Sequence, residues 1–225
     1  MKTQILAGLL TLATLLETSA AVYTINSGTV NLTIPDGNPN GVSSTLNVSV
    51  ADHQITGLSV TLNVSGGYNG DLYAYLSYGG VLVPLVNRIG VGSGNSFGAS
   101  GAGMNVTLTD GGALGDIHLG GDSVLSGTYE ADGRNISPLS SAAAFDSASR
   151  VNFAGYNTLD PNGTWTLFFA DVSGGGASTL NNWSMDISAV PEPVNVAMPV
   201  FGGLLGAAAL IGHFKRRTLN ACRVL

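Results

Sequence analysis

The sequence predicts an all-β fold: a two-sheet antiparallel β-sandwich of jelly-roll type, with an N-terminal signal peptide and one C-terminal transmembrane helix. Three observations carry this. Apolar and polar residues alternate over many short stretches, glycine-rich joints separate those stretches, and long apolar runs stand at the two ends of the chain. Alternation of period two with one apolar face is the pattern of half-buried antiparallel strands. Such strands at short spacing, without a helical period, point to two packed sheets.

From the N-terminus, Lys2 precedes an apolar run over residues 5–16 and then Ser19, Ala20 and Ala21. A charged start, a short apolar stretch and small residues at the end describe a signal peptide over residues 1–21, cleaved after Ala20 or Ala21. Residues 22–189 form the exported domain. In it Leu46, Val48 and Val50 alternate with polar residues, as do Leu58, Val60, Leu62 and Val64. The same period places Met104, Val106 and Leu108 on one face, then Trp165, Leu167 and Phe169, and finally Trp183, Met185 and Ile187. Gly66-Gly67, Gly79-Gly80, Gly111-Gly112 and the glycines at 174–176 mark the joints. Residues 90–103 are low in complexity and read as a surface loop. Asp160-Pro161-Asn162-Gly163 is turn chemistry, with proline presetting φ and Asn-Gly supplying left-handed positions.

The C-terminal end has three parts in order. Pro191, Glu192 and Pro193 form a stiff extended segment, residues 194–214 are almost wholly apolar, and Lys215, Arg216 and Arg217 follow. About twenty helical residues at ~1.5 Å rise cross a bilayer core of ~30 Å. A basic cluster after the span keeps that end cytoplasmic, so residues 218–225 form a short internal tail and the domain lies outside. A buried core helix is the competing reading of the apolar run, and the asymmetric flanks argue against it.

Composition narrows the function classes. The 225-residue chain has a formal net charge of −6 and a single cysteine, Cys222, in the tail. Between residues 22 and 190 the basic side chains are Arg88, Arg134 and Arg150, against twelve acidic ones, with no lysine. Such a surface repels nucleic acid and anionic lipid. With no cysteine in the domain, no disulfide framework supports it, so the core does so, with metal as the second candidate source of stability.

Two resemblances follow from these residues. Pro191-Glu192-Pro193, the apolar helix and the basic cluster together resemble the PEP-CTERM sorting signal over residues 190–217. That resemblance implies recognition and processing by an exosortase, a membrane-embedded transpeptidase, in a Gram-negative-type bacterium that makes extracellular polysaccharide. The central blocks IPDGNPNGVSSTLNV (34–48), ITGLSVTLNVSGGYNGDLYAYL (55–76), SGTYEADG (126–133), NGTWTLFFAD (162–171) and TLNNWSMDI (179–187) resemble the P domain (P/Homo B domain) of subtilisin-like proprotein convertases. That domain is the non-catalytic β-sandwich beside a serine endopeptidase. Residues 140–152 look like an insertion relative to it.

Candidate chemistry is sparse. Serine catalysis needs a positioned imidazole, and His53, His118 and His213 are the histidines. None is near a nucleophile-elbow pattern or a zinc-binding spacing, so no catalytic residue is assigned. Trp165 and Trp183 fall in phase with buried faces and read as core anchors. Tyr73 and Tyr75 lie opposite Leu72, Ala74 and Leu76, where they either stack on sugar rings or are covered by other chain. Calcium takes six to eight oxygens from carboxylates and loop carbonyls. Asp36, Asp71 and Asp171 occupy loop or strand-end positions suited to it, which the P-domain resemblance also implies. Asp110, Asp116 and Asp122 form a second candidate group. For every one of these the plain alternative is a solvated turn residue or a cap.

Two functions stay open at this point. One is an exported, non-catalytic surface or matrix protein, processed by exosortase and released among extracellular polysaccharide. The other is an accessory P domain for a subtilisin-like protease supplied by another chain.

Overall fold

Alternation gives each strand one apolar face, and the fold is the way two sheets of such strands close on each other. The computed structural model describes residues 19–191 and Gly203. Its strands are β1 (Ala21–Asn26), β2 (Leu32–Ile34), β3 (Asn38–Val48), β4 (Gln54–Gly66) and β5 (Leu72–Tyr78). After them come β6 (Val81–Asn87), β7 (Met104–Thr109), β8 (Leu125–Tyr129), β9 (Gly163–Asp171) and β10 (Ser178–Val190). One short helix, α1 (Ala142–Phe145), lies between β8 and β9. Residues Ala20–Val190 form one compact unit that contains all of these elements.

One sheet runs β1-β10-β4-β7-β8, with β2 also paired to β10, and the other runs β3-β9-β5-β6. The chain therefore changes sheet from β2 to β3, to β4 and to β5, then from β6 to β7, and again from β8 to β9 and to β10. The order β2-β10-β4-β7 facing β3-β9-β5-β6 is that of a jelly roll, which protects most strand edges by doubling the sheet.

The antiparallel expectation needs one correction, because β8 pairs with β7 in parallel. Parallel pairing needs a crossover of about a dozen residues or more. Residues 110–124, carrying a 3-10 turn at Ile117–Leu119, supply it.

The expected inward residues are the observed core: Leu58, Val60, Leu62 and Val64 of β4, Met104, Val106 and Leu108 of β7, and the aromatic and aliphatic positions of β9 and β10 are all buried. In β10 a bulge between Leu180 and Asn182 resets the phase, so Leu180 faces inward as well as Trp183. Trp165 and Trp183 are buried anchors, as expected. The Trp165 Nε1 donates to the Pro161 carbonyl at 2.9 Å, and Trp183 Nε1 donates to Ser44 Oγ at 2.9 Å. Tyr78 stacks on Trp165 with centroids 4.1 Å apart, while its hydroxyl holds the Asp160 and Asn162 carbonyls of the predicted turn.

Residues 90–103 form a surface loop, as expected, with residues 93–97 exposed, but it is anchored: Val91, Ala99, Gly101 and Gly103 are buried, and Ala99 exchanges hydrogen bonds with Ile89 and Gly70. Small side chains let this loop lie flat against the sandwich end. The segment 140–152 forms α1 and a turn whose Phe145 is buried against His118.

At the C-terminal edge, β10 runs to Val190, opposite Gln54. Pro191 follows, and its missing N–H cannot extend the ladder. Among the described residues no helix is long and apolar enough to cross a membrane. The expected span over 194–214 lies outside the described residues except for Gly203, and so do Glu192, Pro193, Lys215, Arg216, Arg217 and the signal peptide up to residue 18.

Candidate functional site

Asp36, Asp71 and Asp171 come from three separate segments, and the sheet register brings those segments together. Asp171 ends β9 in the middle of its sheet, opposite Leu72 of β5 on one side and Asn38 of β3 on the other. Asp71 closes the 3-10 turn Asn69–Asp71 immediately before β5, and its carbonyl accepts the Val172 amide at 2.9 Å. Asp36 sits in the β2–β3 turn and reaches across to the glycine run, where Oδ1 accepts the Gly175 amide at 3.0 Å. It thereby pins the loop that follows Asp171.

The electrostatics of Asp71 and Asp171 are unusual for carboxylates. Asp171 is 0% exposed, Oδ1 accepts the Ser173 amide at 3.1 Å, and Oδ2 is buried without a hydrogen-bond partner. Burial holds its carboxyl above the usual range, the charges of Asp71 and Asp36 add to this, and the Ser173 and Gly37 amides oppose it. Asp71 is raised for the same first reason, burial, with Asp36 adding and with Arg88 and Ser173 pulling the other way. A buried carboxylate oxygen normally has a partner, because an unpaired one costs several kcal/mol, of order ~1–3 even for neutral groups. Here two acidic groups share a site with Arg88 as the nearby compensating charge. Among the described residues no three carboxylates, imidazoles or thiols stand close enough to hold a metal ion by side chains alone. A hard cation here would draw on Asp71, Asp171 and loop carbonyls together.

The turn that carries Asp71 is built into the 90–103 loop. Asn69 N donates to the Gly101 carbonyl at 2.8 Å, Asn69 Nδ2 to Gly103 at 3.0 Å, and Gly70 N to Ala99 at 2.9 Å. A Cβ on Gly70 would lie 2.7 Å from the Ala99 nitrogen, so the two backbones can approach this closely only through glycine. Beside the turn a cleft of about 300 Å³ opens between Tyr68 and Phe97, floored by Asp71, Ser100, Ser173 and Gly174.

The other candidates separate. Asp110 accepts the Phe153 amide, Asp122 accepts the Ser100 amide, and Asp116 accepts the His118 amide and pairs with Arg134 at 2.8 Å. These three do not make a joint site; each has its own structural task. Tyr73 and Tyr75 are half-buried and pack with Phe168, the Tyr75–Phe168 pair stacking at 4.8 Å and 16°. Their ring faces are engaged with each other.

His118 and its partners form a second polar centre that sequence reasoning missed. The ring is nearly buried, with Nδ1 2.7 Å from Asp132 Oδ2 and Nε2 2.9 Å from the Val91 carbonyl. Asp132 also accepts from Asn87 N and Arg134. His118 therefore has both nitrogens occupied and lies under Phe145. His53, by contrast, is half-exposed and pairs with Asp160 at 2.8 Å beside Asn162, in the turn before β9.

No protein-family model matches the chain, and no curated protein is similar to it. Among solved structures, the serine protease of Aeromonas sobria in complex with its chaperone aligns at 13% identity and TM-score 0.40, over 76% of this chain and 26% of that one. FlhE aligns at 9% identity and TM-score 0.38, over 76% of this chain and 98% of that one. Dimeric latent PorU from Porphyromonas gingivalis aligns at 10% identity and TM-score 0.34, over 78% and 13%. This chain thus spans about a quarter of the protease chain it matches. At these TM-scores the likenesses carry no argument about activity.

Proposed function

We propose that the chain is an exported, non-catalytic β-sandwich that serves as a binding or structural module at the cell surface, and that its loop end holds calcium on Asp71 and Asp171, with Asp36 fixing the loop above them. One observation carries the calcium reading: the wholly buried Asp171 carboxylate has an unpartnered oxygen beside a second buried carboxylate. Calcium supplies the positive charge and accepts carbonyl oxygens as further ligands. The ion pins the β2–β3 turn, the 3-10 turn before β5 and the β9–β10 loop to one another.

Delivery rests on the two chain ends. The order Pro191-Glu192-Pro193, apolar run, Lys215-Arg216-Arg217 supports sorting by an exosortase during export, after a signal peptide has been removed. Cleavage after Ala20 leaves β1 whole, since Ala21 is its first residue and pairs with Ala189. Strand β10 ends at Val190, so processing at the Pro-Glu-Pro segment takes place one residue beyond the sandwich.

The test is calorimetric titration of calcium into the full chain in mild detergent, with thermal melts in calcium and in chelator. Binding heat and a melting point raised by calcium are expected; absence of both removes the calcium reading. The sorting reading is tested by mass spectrometry of the mature C-terminus from cells with and without exosortase. An intact Leu225 in cells that have the enzyme means permanent anchoring instead.

A further inference from the structure

We infer that the cleft between Tyr68 and Phe97 is a saccharide site, taking one neutral pyranose ring of a polysaccharide against the cation held by Asp71. The inference rests on the calcium reading above and adds the ligand class to that same end of the sandwich.

The two aromatic side chains are the first ground. Tyr68 is 44% exposed and Phe97 87% exposed, and Phe97 is the most exposed of the large apolar residues described. Neither projects from a loose tip. Asn95 Oδ1 accepts the Phe97 and Gly98 amides at 3.2 and 3.1 Å, while its Nδ2 donates to the Gly98 carbonyl at 2.9 Å. The Asp122 carboxylate holds the loop two residues further on by accepting the Ser100 amide at 2.7 Å. Tyr68 lies along Gly175, where a Cβ would come within 3.3 Å of its ring. Exposed aromatic rings that line a cleft cost hydration and gain nothing in the free protein. They do gain from a ligand with an apolar face, and a pyranose presents one in its axial C–H bonds.

The floor is the second ground. Asp71, Ser100 and Ser173 line a volume of about 300 Å³, at the small end for ligand pockets, with one carboxylate and two hydroxyls, groups that hydrogen-bond a polyol. Two carboxylates leave most of calcium's six to eight positions open. Vicinal sugar hydroxyls fill such positions without adding charge.

The outer-face aromatics do not compete for this role, because Tyr73, Tyr75 and Phe168 are packed ring against ring.

The test is saturation-transfer NMR on the full chain in detergent, with cello-, manno- and galacto-oligosaccharides as probes, in calcium and in chelator. Alginate oligosaccharide and oligolysine serve as comparison ligands. Phe97→Ala and Tyr68→Ala remove exposed rings and leave the core intact, which circular dichroism verifies. Transfer to at least one neutral oligosaccharide, weakened roughly tenfold or more by either variant, supports the site. No transfer to any neutral probe overturns it, as does transfer that both variants leave unchanged, or binding of oligolysine or alginate alone. Calcium heat without sugar binding leaves the metal reading standing and removes this one. Sugar binding that persists undiminished in chelator supports the cleft and counts against the calcium.

Discussion

Replacing Asp132 by asparagine tests the polar centre that holds the 90–103 loop, the 110–124 crossover and residues 140–152 together. Asp132 is 0% exposed and accepts four hydrogen bonds: from His118 Nδ1 at 2.7 Å, Asn87 N at 3.1 Å, and Arg134 N and Nη1 at 3.2 Å each. His118 Nε2 faces the Val91 carbonyl, an acceptor only, so that nitrogen carries a proton. With a carboxylate on the other nitrogen, the geometry selects the doubly protonated imidazolium. Burial works against that charge, but the Asp132 bond and charge and the Val91 carbonyl outweigh it, and the His118 pKa is raised despite Arg134. Removing one partner of a buried ion pair costs about 3–5 kcal/mol. For a domain of this size each kcal/mol moves Tm by about 2–4 °C, so Asp132→Asn should lower Tm by roughly 6–20 °C. The His118 part has a definite sign. A pKa raised above the unfolded value of about 6.5 contributes stability that is complete below that value and is lost as pH rises through the folded pKa. The gap between wild type and Asp132→Asn, followed by far-UV circular dichroism of the full chain, should therefore be wider near about pH 6 than near about pH 9. A gap below about 1 kcal/mol, or one equal at both pH values, refutes the reasoning.

Three further outcomes are expected. Asp171→Asn should raise the melting point of the calcium-free chain, since it removes a buried charge next to Asp71, and should abolish the calcium-induced rise; a lowered melting point without calcium contradicts the electrostatic account. In chelator, the wild-type-specific part of stability should grow as pH falls toward the carboxylate range, because acids with raised folded pKa values contribute stability below their unfolded pKa and lose it as pH rises; Asp171→Asn should flatten this in the same melts. Gly98→Ala should destabilise by about 2–4 kcal/mol, since its φ is +79° and a Cβ would meet Gly70 Cα at 2.7 Å, whereas Gly94→Ala, with nothing within 4 Å, should change little by urea denaturation.

What the sequence made legible follows the period-two pattern closely. Trp165, Leu167 and Phe169 could be placed inward because nothing but alternation is needed to know which face they share. The same holds for β4 and β7, where every expected inward residue is buried. The parallel pairing of β8 was hidden, because alternation within Leu125–Tyr129 is equally compatible with either direction and only the crossover length decides. The trio Asp36, Asp71 and Asp171 could be nominated from turn and strand-end positions, yet its unusual feature, the unpartnered Asp171 oxygen, depends on register with Leu72 and Asn38. His118 and Asp132 stand fourteen residues apart and carry no spacing signal; their bond exists because the segment after β8 returns to the edge of β6, where Asp132 N donates to the Leu85 carbonyl, beside the crossover that carries His118. Phe97 looked like one apolar residue in a low-complexity stretch, since exposure is a property of the folded turn around Asn95.

The distribution of three arginines across this acidic domain explains why a cation is expected at one cluster and not at the other. Arg134 and Arg150 both converge on Asp116, Arg134 also pairs with Asp132, and the His118 imidazolium adds a further charge. That centre is neutralised from within the chain. Register places Asn87 opposite Tyr73 and Asp171 opposite Leu72, so the second pair of buried acids lies at the same end of the same sheet. Its nearby basic group is Arg88, whose Nε is turned to the Gly70 carbonyl at 3.2 Å and not to a carboxylate. A domain without lysine has no other long cation to send there. Folding the Asp71–Asp171 pair into the sheet therefore buries two acidic groups beside Arg88, whose charge favours the Asp71 carboxylate while its Nε is engaged by the Gly70 carbonyl. On the proposal above, a divalent cation adds positive charge at this pair, and the calcium titration tests it.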